Sequence, residues 1–152
     1  MNILFLANHF NTGGISSYLL TLTKGFVDVG HKVYVLSSGG NLVDKFESLG
    51  GKHFNFGFRV KSDADIRVYF SSPHQQRFKE LKIDIIHSNT RATQIMGERY
   101  SRSLGVPHVS TCHGFFKKKI ARFLFPCWGK RVVAISSPVE KHLIQDFYVD
   151  SA

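Results

Sequence analysis

Apolar and polar positions follow one another in blocks along this chain, and the period of the blocks changes from strand-like to helical and back. Ile3 to Ala7 form a short apolar run closed by a polar loop, the pattern of a buried strand. The loop ends on Gly13-Gly14, and Ile15, Leu19, Leu22 and Phe26 then recur at helical spacing. The helix is expected to end near Asp28, with Gly30 as its C′ residue. Lys32 to Ser37 reads as a second strand. Asn41 is placed to cap a short helix through Leu49, which Gly50-Gly51 would end. Lys52 to Phe58 sets Phe54, Phe56 and Phe58 on one face of a third strand. This β-α-β-α-β order implies a parallel sheet with right-handed crossovers.

Residues 59 to 82 carry the weakest pattern; Pro73 breaks any single long helix there, and His74 to Leu81 suits a short one. Lys82 to Asn89 is an apolar strand ending in polar residues, and Thr90 to Leu104 a helix with Gly105 as its stop. Pro107 to Cys112 is the next strand, with His113-Gly114-Phe115-Phe116 as the loop at its carboxyl end. Lys117 to Trp128 has the spacing of a basic amphipathic helix, and Arg131 to Ile135 that of another strand. Ser137-Pro138-Val139-Glu140 reads as a capping box with proline at N1, opening a helix to Phe147. Six strands with interleaved helices make an α/β fold, a Rossmann-like open parallel sheet flanked by helices.

In such sheets ligands sit outside the carboxyl ends of the strands, near the point where the strand order reverses. Four polar clusters fall at carboxyl ends: Asn8 to Gly14, Ser88 to Arg91, His113-Gly114 and Ser136-Ser137. At the first of them a helix begins directly after two glycines. Glycine admits a tight turn and close backbone approach, and the helix start offers unpaired N–H groups and the positive dipole end. That combination suits a phosphate; the plainer reading is a simple strand-to-helix connection. The loop matches neither GxGxxG nor GxxxxGK[ST], which argues against a dehydrogenase and against a P-loop.

Composition narrows the partners. The chain has 152 residues, 43% hydrophobic and 20% charged, which suits one soluble domain. Its formal charge of +9 points to an anionic partner: phosphorylated small molecules, an anionic membrane face or nucleic acid. No helix-turn-helix, zinc-finger or RNP pattern supports the last. Cys112 and Cys127 read as ordinary half-buried thiols in a reducing compartment, and their spacing is no zinc pattern. No apolar run is long enough to span a bilayer, and Met1-Asn2 leads straight into a strand. A cytoplasmic location is expected, with peripheral contact at the inner face of the membrane as an option.

The opening strand with GGISSYLLTLTKGF, the strand DIIHSN, the strand-loop PHVSTCHG and the strand-helix VVAISSPVEKHL together resemble the N-terminal half of family 4 retaining glycosyltransferases, of GT-B fold. The motifs stand in the family's order and span nearly all of the chain. The resemblance implies two Rossmann-like domains facing across a cleft, the N-terminal one on the acceptor side and the C-terminal one gripping a nucleotide-sugar. It implies that Gly13 and Gly14 approach the donor diphosphate, and that His113 lies beside the transferred sugar as the catalytic-site residue. It offers Asn89, Arg91, Lys117 and Lys118 for an acceptor phosphate or hydroxyls of a glycan or lipid-linked acceptor. It calls for no metal and no cofactor besides the nucleotide-sugar substrate. The family's donor-binding Arg and Lys and its two glutamates eight apart belong to the second half; Glu47, Glu80, Glu98 and Glu140 include no such pair. Residues 1–152 are thus expected to be an N-terminal domain incomplete at its C-terminus, inactive by itself, with a separately encoded C-terminal domain as one partner.

Two other readings stay beside this one. A non-catalytic nucleotide- or phosphosugar-binding domain would share the Gly13-Gly14 site without chemistry, and a basic nucleic-acid binder would account for the charge alone. His87 is expected to be structural, and His9, His31 and His53 carry no separable signal. The segment FFKKKIARFLF is expected to be a surface helix packing its apolar side on the sheet, although the same pattern can lie on an anionic membrane.

Overall fold

Strand β1 (Asn2–Leu6) is buried on both faces, and this decides the architecture, because a strand covered on both sides needs helices on both sides. The computed structural model describes residues 1–56 and 74–150. In chain order they form β1, α1 (Gly14–Asp28), β2 (Lys32–Ser37), α2 (Val43–Ser48), β3 (Lys52–Asn55), α3 (His74–Glu80), β4 (Ile85–Ser88), α4 (Arg91–Leu104), β5 (His108–Cys112), α5 (Ile120–Leu124), β6 (Arg131–Ala134) and α6 (Ser137–Phe147). Phe58 and the weakly patterned stretch 59–73 lie outside the described residues.

The six strands form one parallel sheet in the order β3-β2-β1-β4-β5-β6. The chain runs outward from β1 to β3, then returns to the other side of β1 as β4. Right-handed crossovers therefore place the two sets of helices on opposite faces. The alternation within β1 and β2 matches this. Ile3, Phe5, Val33 and Val35 pack with Leu19 and Leu20 of α1 and Phe46 of α2. Leu4, Leu6, Tyr34 and Leu36 pack with Phe78 of α3 and Met96 and Tyr100 of α4. Full burial of a ring such as Phe5 stabilises the fold by about 2–3 kcal/mol. The fold is the α/β class that the periodicities predict.

Several boundaries differ from expectation for local reasons. Strand β4 starts at Ile85 because the preceding residues form a turn: Lys82 has φ 49°, and the Asn2 amide donates to the carbonyls of Leu81 and Lys82 at 2.9 Å each. Asn41 does not cap α2, whose N-cap is Leu42 without a side-chain bond. Its side chain reaches across to the β1–α1 loop instead, accepting from Thr12 N–H at 2.9 Å and donating to Thr12 Oγ1 at 3.0 Å. No capping box forms over Ser137–Glu140. The N-cap is Ser136, in extended conformation and without a side-chain bond, so Pro138 is the second helical residue rather than the first.

The largest departure is the expected amphipathic helix over 117–128. Only Ile120–Leu124 is helical, and its apolar side faces outward: Phe115, Ile120, Leu124 and Phe125 are 66–78% exposed. Arg122 takes the inner position. Its guanidinium lies 4.1 Å from the Phe116 ring centroid, 5.2 Å from Trp128 and 5.8 Å from Phe147. This aromatic cage supplies the cation–π attraction that makes a buried arginine tolerable. Pro126 ends the helix by driving Phe125 out of helical conformation (φ −132°, ψ 73°).

The β1–α1 loop is fastened to the β2–α2 loop. Phe10 N–H donates to Gly39 O at 2.8 Å, Leu42 N–H to Phe10 O at 3.0 Å, and Ser38 Oγ to Asn8 O at 2.7 Å. Gly40 permits this contact. It has φ +154°, and a Cβ there would meet the Phe10 carbonyl carbon at 2.3 Å. Gly40→Ala is therefore expected to destabilise the fold by about 2–3 kcal/mol, read as a lowered urea midpoint with an unchanged slope.

Candidate functional site

The strand order reverses between β1 and β4, and the polar ends of β1, β4 and β5 converge there. Asn8 follows β1, Asn89 and Thr90 follow β4, and His113 follows β5. The Thr90 hydroxyl donates to Asn8 Oδ1 at 2.9 Å, joining two of these ends. Thr90 is also the N-cap of α4 in a reciprocal capping box with Thr93.

Hydrogen bonding fixes the state of His113. The Asn89 amide Nδ2 faces the Leu6 carbonyl at 3.4 Å, so Oδ1 is the atom turned to His113. His113 Nε2 lies 3.1 Å from that oxygen and must carry the proton. Burial holds the His113 pKa below its ordinary value, favouring the neutral ring. A neutral ring with its proton on Nε2 presents Nδ1 as an acceptor.

Tyr18, one turn beyond Gly14 on α1, packs edge-on against His113 at 5.0 Å between centroids. Its hydroxyl lies 3.1 Å from Thr111 Oγ1, which in turn lies 2.7 Å from His87 Nε2. This chain, buried at its His87 end and half-buried at Tyr18, sets α1 against β5. Asn8 opens the first of the expected polar clusters, whereas sequence reading missed Tyr18 and Thr111; the available signal was that Tyr18 shares a helix face with Gly14. His87 is structural in position, stacked edge-on against Phe5 at 5.4 Å.

Helix α1 begins at Gly14 with Gly13 as N-cap, and no side chain caps it. Neither glycine is demanded by the backbone. Gly13 has φ 166°, an extended value open to any residue, and a Cβ on Gly14 would meet nothing within 4 Å. Among the described residues, nothing occupies the space beside the Gly14 Cα where a side chain would begin.

The other expected residues are engaged elsewhere. Arg91 donates to the carbonyls of Pro126 at 2.7 Å and Phe125 at 2.6 Å, tying α4 to the turn after α5. Lys118 pairs with Asp146 at 2.8 Å. Lys117 is exposed on the loop between β5 and α5. Of the expected set, Asn89 and His113 are in direct contact, and Tyr18 links α1, the helix of Gly14, to His113. Among the described residues, no group of three or more His, Cys, Asp or Glu is placed to hold a metal ion. A groove of about 800 Å³ runs along β6 and α6, lined by Trp128, Arg131, Glu140 and Tyr148; it includes none of the switch-point residues.

A family model described as Glycosyltransferase Family 4 matches residues 12–152. The chain belongs to glycosyltransferase family 4. Three solved structures resemble this family 4 chain in fold. A glycosyltransferase from Rickettsia africae is 21% identical with a TM-score of 0.80, covering 98% of this chain and 40% of that one. MurG from Acinetobacter baumannii is 16% identical with a TM-score of 0.64, over 88% of this chain and 40% of that one. A UDP-N-acetylglucosamine 2-epimerase is 13% identical with a TM-score of 0.67, over 96% and 45%. The family 4 chain thus spans less than half the length of each. A comparison with curated protein sequences finds no match.

Burial also lowers the pKa of His87, to about 4 from 6.5, with the neighbouring His113 and His108 adding to the shift. A histidine whose folded pKa is depressed takes its proton first in the unfolded chain. Its contribution is fully present above about pH 6.5 and is lost as the pH falls toward 4. His87 alone should cost the fold about 3 kcal/mol over that interval. Urea titrations at pH 7 and pH 4 should show it, and His87→Gln should flatten the dependence.

Proposed function

We propose that this chain is the acceptor-side domain of an enzyme that transfers a sugar from a nucleotide-sugar to a glycan or lipid-linked acceptor with retention. The observation that carries the reading is the coincidence, at the switch point, of an uncapped helix start with room beside the Gly14 Cα and a neutral histidine with a free acceptor nitrogen. The N–H groups at the start of α1 would receive the donor diphosphate through the absence of a Cβ at Gly13 and Gly14. His113 Nδ1 would accept a hydrogen bond from a hydroxyl of the transferred sugar and orient it. Such a bond, preorganised by Asn89 and Tyr18, stabilises a developing oxocarbenium-like charge only through placement, since the ring itself is neutral. The family resemblance assigns the base and most of the donor sugar to a second domain, so transfer requires that domain. Arg91 and Lys118 would reach an acceptor only by giving up the bonds they make here.

Gly14→Ala tests the diphosphate assignment. Alanine is the better helix former and its Cβ meets no protein atom, so stability should hold or rise by about 0.5–1 kcal/mol. Titration with uridine or guanosine diphosphate should show affinity about tenfold weaker than in the unmodified chain, about 1.4 kcal/mol. Equal affinity in the two forms would remove Gly14 from the site. Nucleotide-sugar binding without transfer, in the presence of a matched second domain, would favour the non-catalytic reading.

We also propose that the segment after His113 rests on an anionic membrane. Its support is the exposure of Phe115, Ile120, Leu124 and Phe125 beside Lys117 and Lys119. No helix among the described residues is long and apolar enough to cross a membrane, so the contact would be peripheral. Co-sedimentation with phosphatidylglycerol vesicles should fall about tenfold or more in a Phe115→Ser, Leu124→Ser double variant, and binding should weaken with salt.

A further inference from the structure

The loop that begins at His113 is anchored at its far end to helix α6. The Phe116 N–H donates to His142 Nε2 at 2.9 Å. A backbone N–H can only donate, so Nε2 carries the lone pair and the ring proton sits on Nδ1. That proton points to Asp146 Oδ2 at 2.7 Å, and Asp146 Oδ1 holds Lys118 Nζ at 2.8 Å. Lys118 and His142 together keep the Asp146 carboxyl below the usual carboxylate range, so it is an ionised acceptor. The His142 side chain is 10% exposed. Its ring is boxed by Phe115 at 5.1 Å and Phe147 at 5.3 Å between centroids. One turn of helix separates His142 from Asp146, which is the spacing that lets an imidazole and a carboxylate meet on one face.

An unconstrained neutral imidazole favours the proton on Nε2. Here the opposite tautomer is imposed from both sides, by a donor on Nε2 and a carboxylate on Nδ1. The two ends of one short loop thus carry histidine contacts of opposite sense: His113 donates from Nε2 to Asn89, and His142 accepts at Nε2 from Phe116. We propose that His142 and Asp146 are positioning residues for His113. They fix the far end of the His113–Phe116 loop, so that His113 keeps its bond to Asn89 and its free nitrogen keeps its direction. Only Gly114 and Phe115 separate the two ends, so a displacement of the Phe116 backbone has few torsions over which to dissipate before it reaches His113. The functional meaning of this device rests on the reading of His113 as the sugar-contacting group; the anchoring itself is a property of the free chain.

The test is therefore made on the chain without ligand, by nitrogen-15 NMR of the imidazoles and hydrogen exchange of the Phe116 amide. His142 should show a protonated Nδ1 and an unprotonated Nε2. In His142→Phe, which fills the same space without an acceptor, Phe116 should exchange about tenfold faster. The His113 imidazole resonances should shift or broaden as the loop loosens. His142→Gln, whose amide oxygen can stand in for Nε2, should restore most of the protection. Asp146→Asn should give mixed His142 tautomers and faster Phe116 exchange, and it serves if the phenylalanine variant does not fold. A His142 proton on Nε2 in the unmodified chain would overturn the proposal, as would unchanged Phe116 exchange or unchanged His113 resonances in the variants. A separate titration of the unmodified chain with uridine diphosphate tells the two ideas apart: the expected tautomer with no nucleotide binding would sink the diphosphate assignment at Gly13 and Gly14 and leave the anchoring intact.

Discussion

The parallel register of β1 against β4 is the constraint on which the site depends. It pairs Phe5 with His87 and Leu6 with Ser88, so that His87 faces α1 while Ile86 faces α4. Strand side chains alternate faces, and a slip of one residue would exchange the two. Ile86 would then stand where Thr111 needs a polar partner, and His87 would be driven among Met96, Tyr100 and Leu4 without one. An unpaired polar group in such a place costs several kcal/mol, which holds the register as firmly as the apolar contacts do. The same register brings the ends of β1 and β4 level, and this is what lets Thr90 reach Asn8 and Asn89 reach Leu6.

The polar groups at the carboxyl ends form a graded sequence from structure to chemistry. His87 is deeply buried and bonded to Thr111, and its low pKa reflects a ring that stays neutral as part of the core. His113 is less buried, bonded at one nitrogen and open at the other. Burial lowers the pKa of both rings, and His113 is the less buried of the two. Tyr18 touches both rings and so carries the position of α1 to the position of His113. Helix start and histidine are therefore set by one packed unit rather than by two independent loops, which is the preorganisation a charge-developing reaction needs.

What the sequence makes legible is what short-range periodicity controls. The apolar runs in Ile3–Ala7 and Lys32–Ser37 and the helical spacing of Ile15, Leu19, Leu22 and Phe26 are local, and the strands and helix they predict are present. The family resemblance likewise follows from motifs that keep their order. The failures share a different cause. Asn41 leaves its cap for Thr12, a residue 29 positions away. Arg122 inverts the segment after His113 because Phe116, Trp128 and Phe147 surround it, and Phe147 lies on another helix. Arg91, read as an anion ligand, is drawn to two carbonyls at the end of the α5 segment. In each case a polar side chain finds at least one partner far along the chain, which no short window of residues contains.

The glycines make the same point about function. Read along the sequence, Gly13-Gly14 suits a tight turn that brings the backbone close to a ligand. In three dimensions the steric demand falls on Gly40, whose missing Cβ lets the β2–α2 loop lie against Phe10, while Gly13 and Gly14 would each accept a side chain without conflict inside the chain. Their absence of side chains thus has no internal explanation, and it coincides with a helix start that no residue caps. A helix terminus left open on both counts keeps its N–H groups available to something outside the chain. The β1–α1 loop that leads to this terminus is itself fastened to the β2–α2 loop, through Gly39, Gly40 and Asn41.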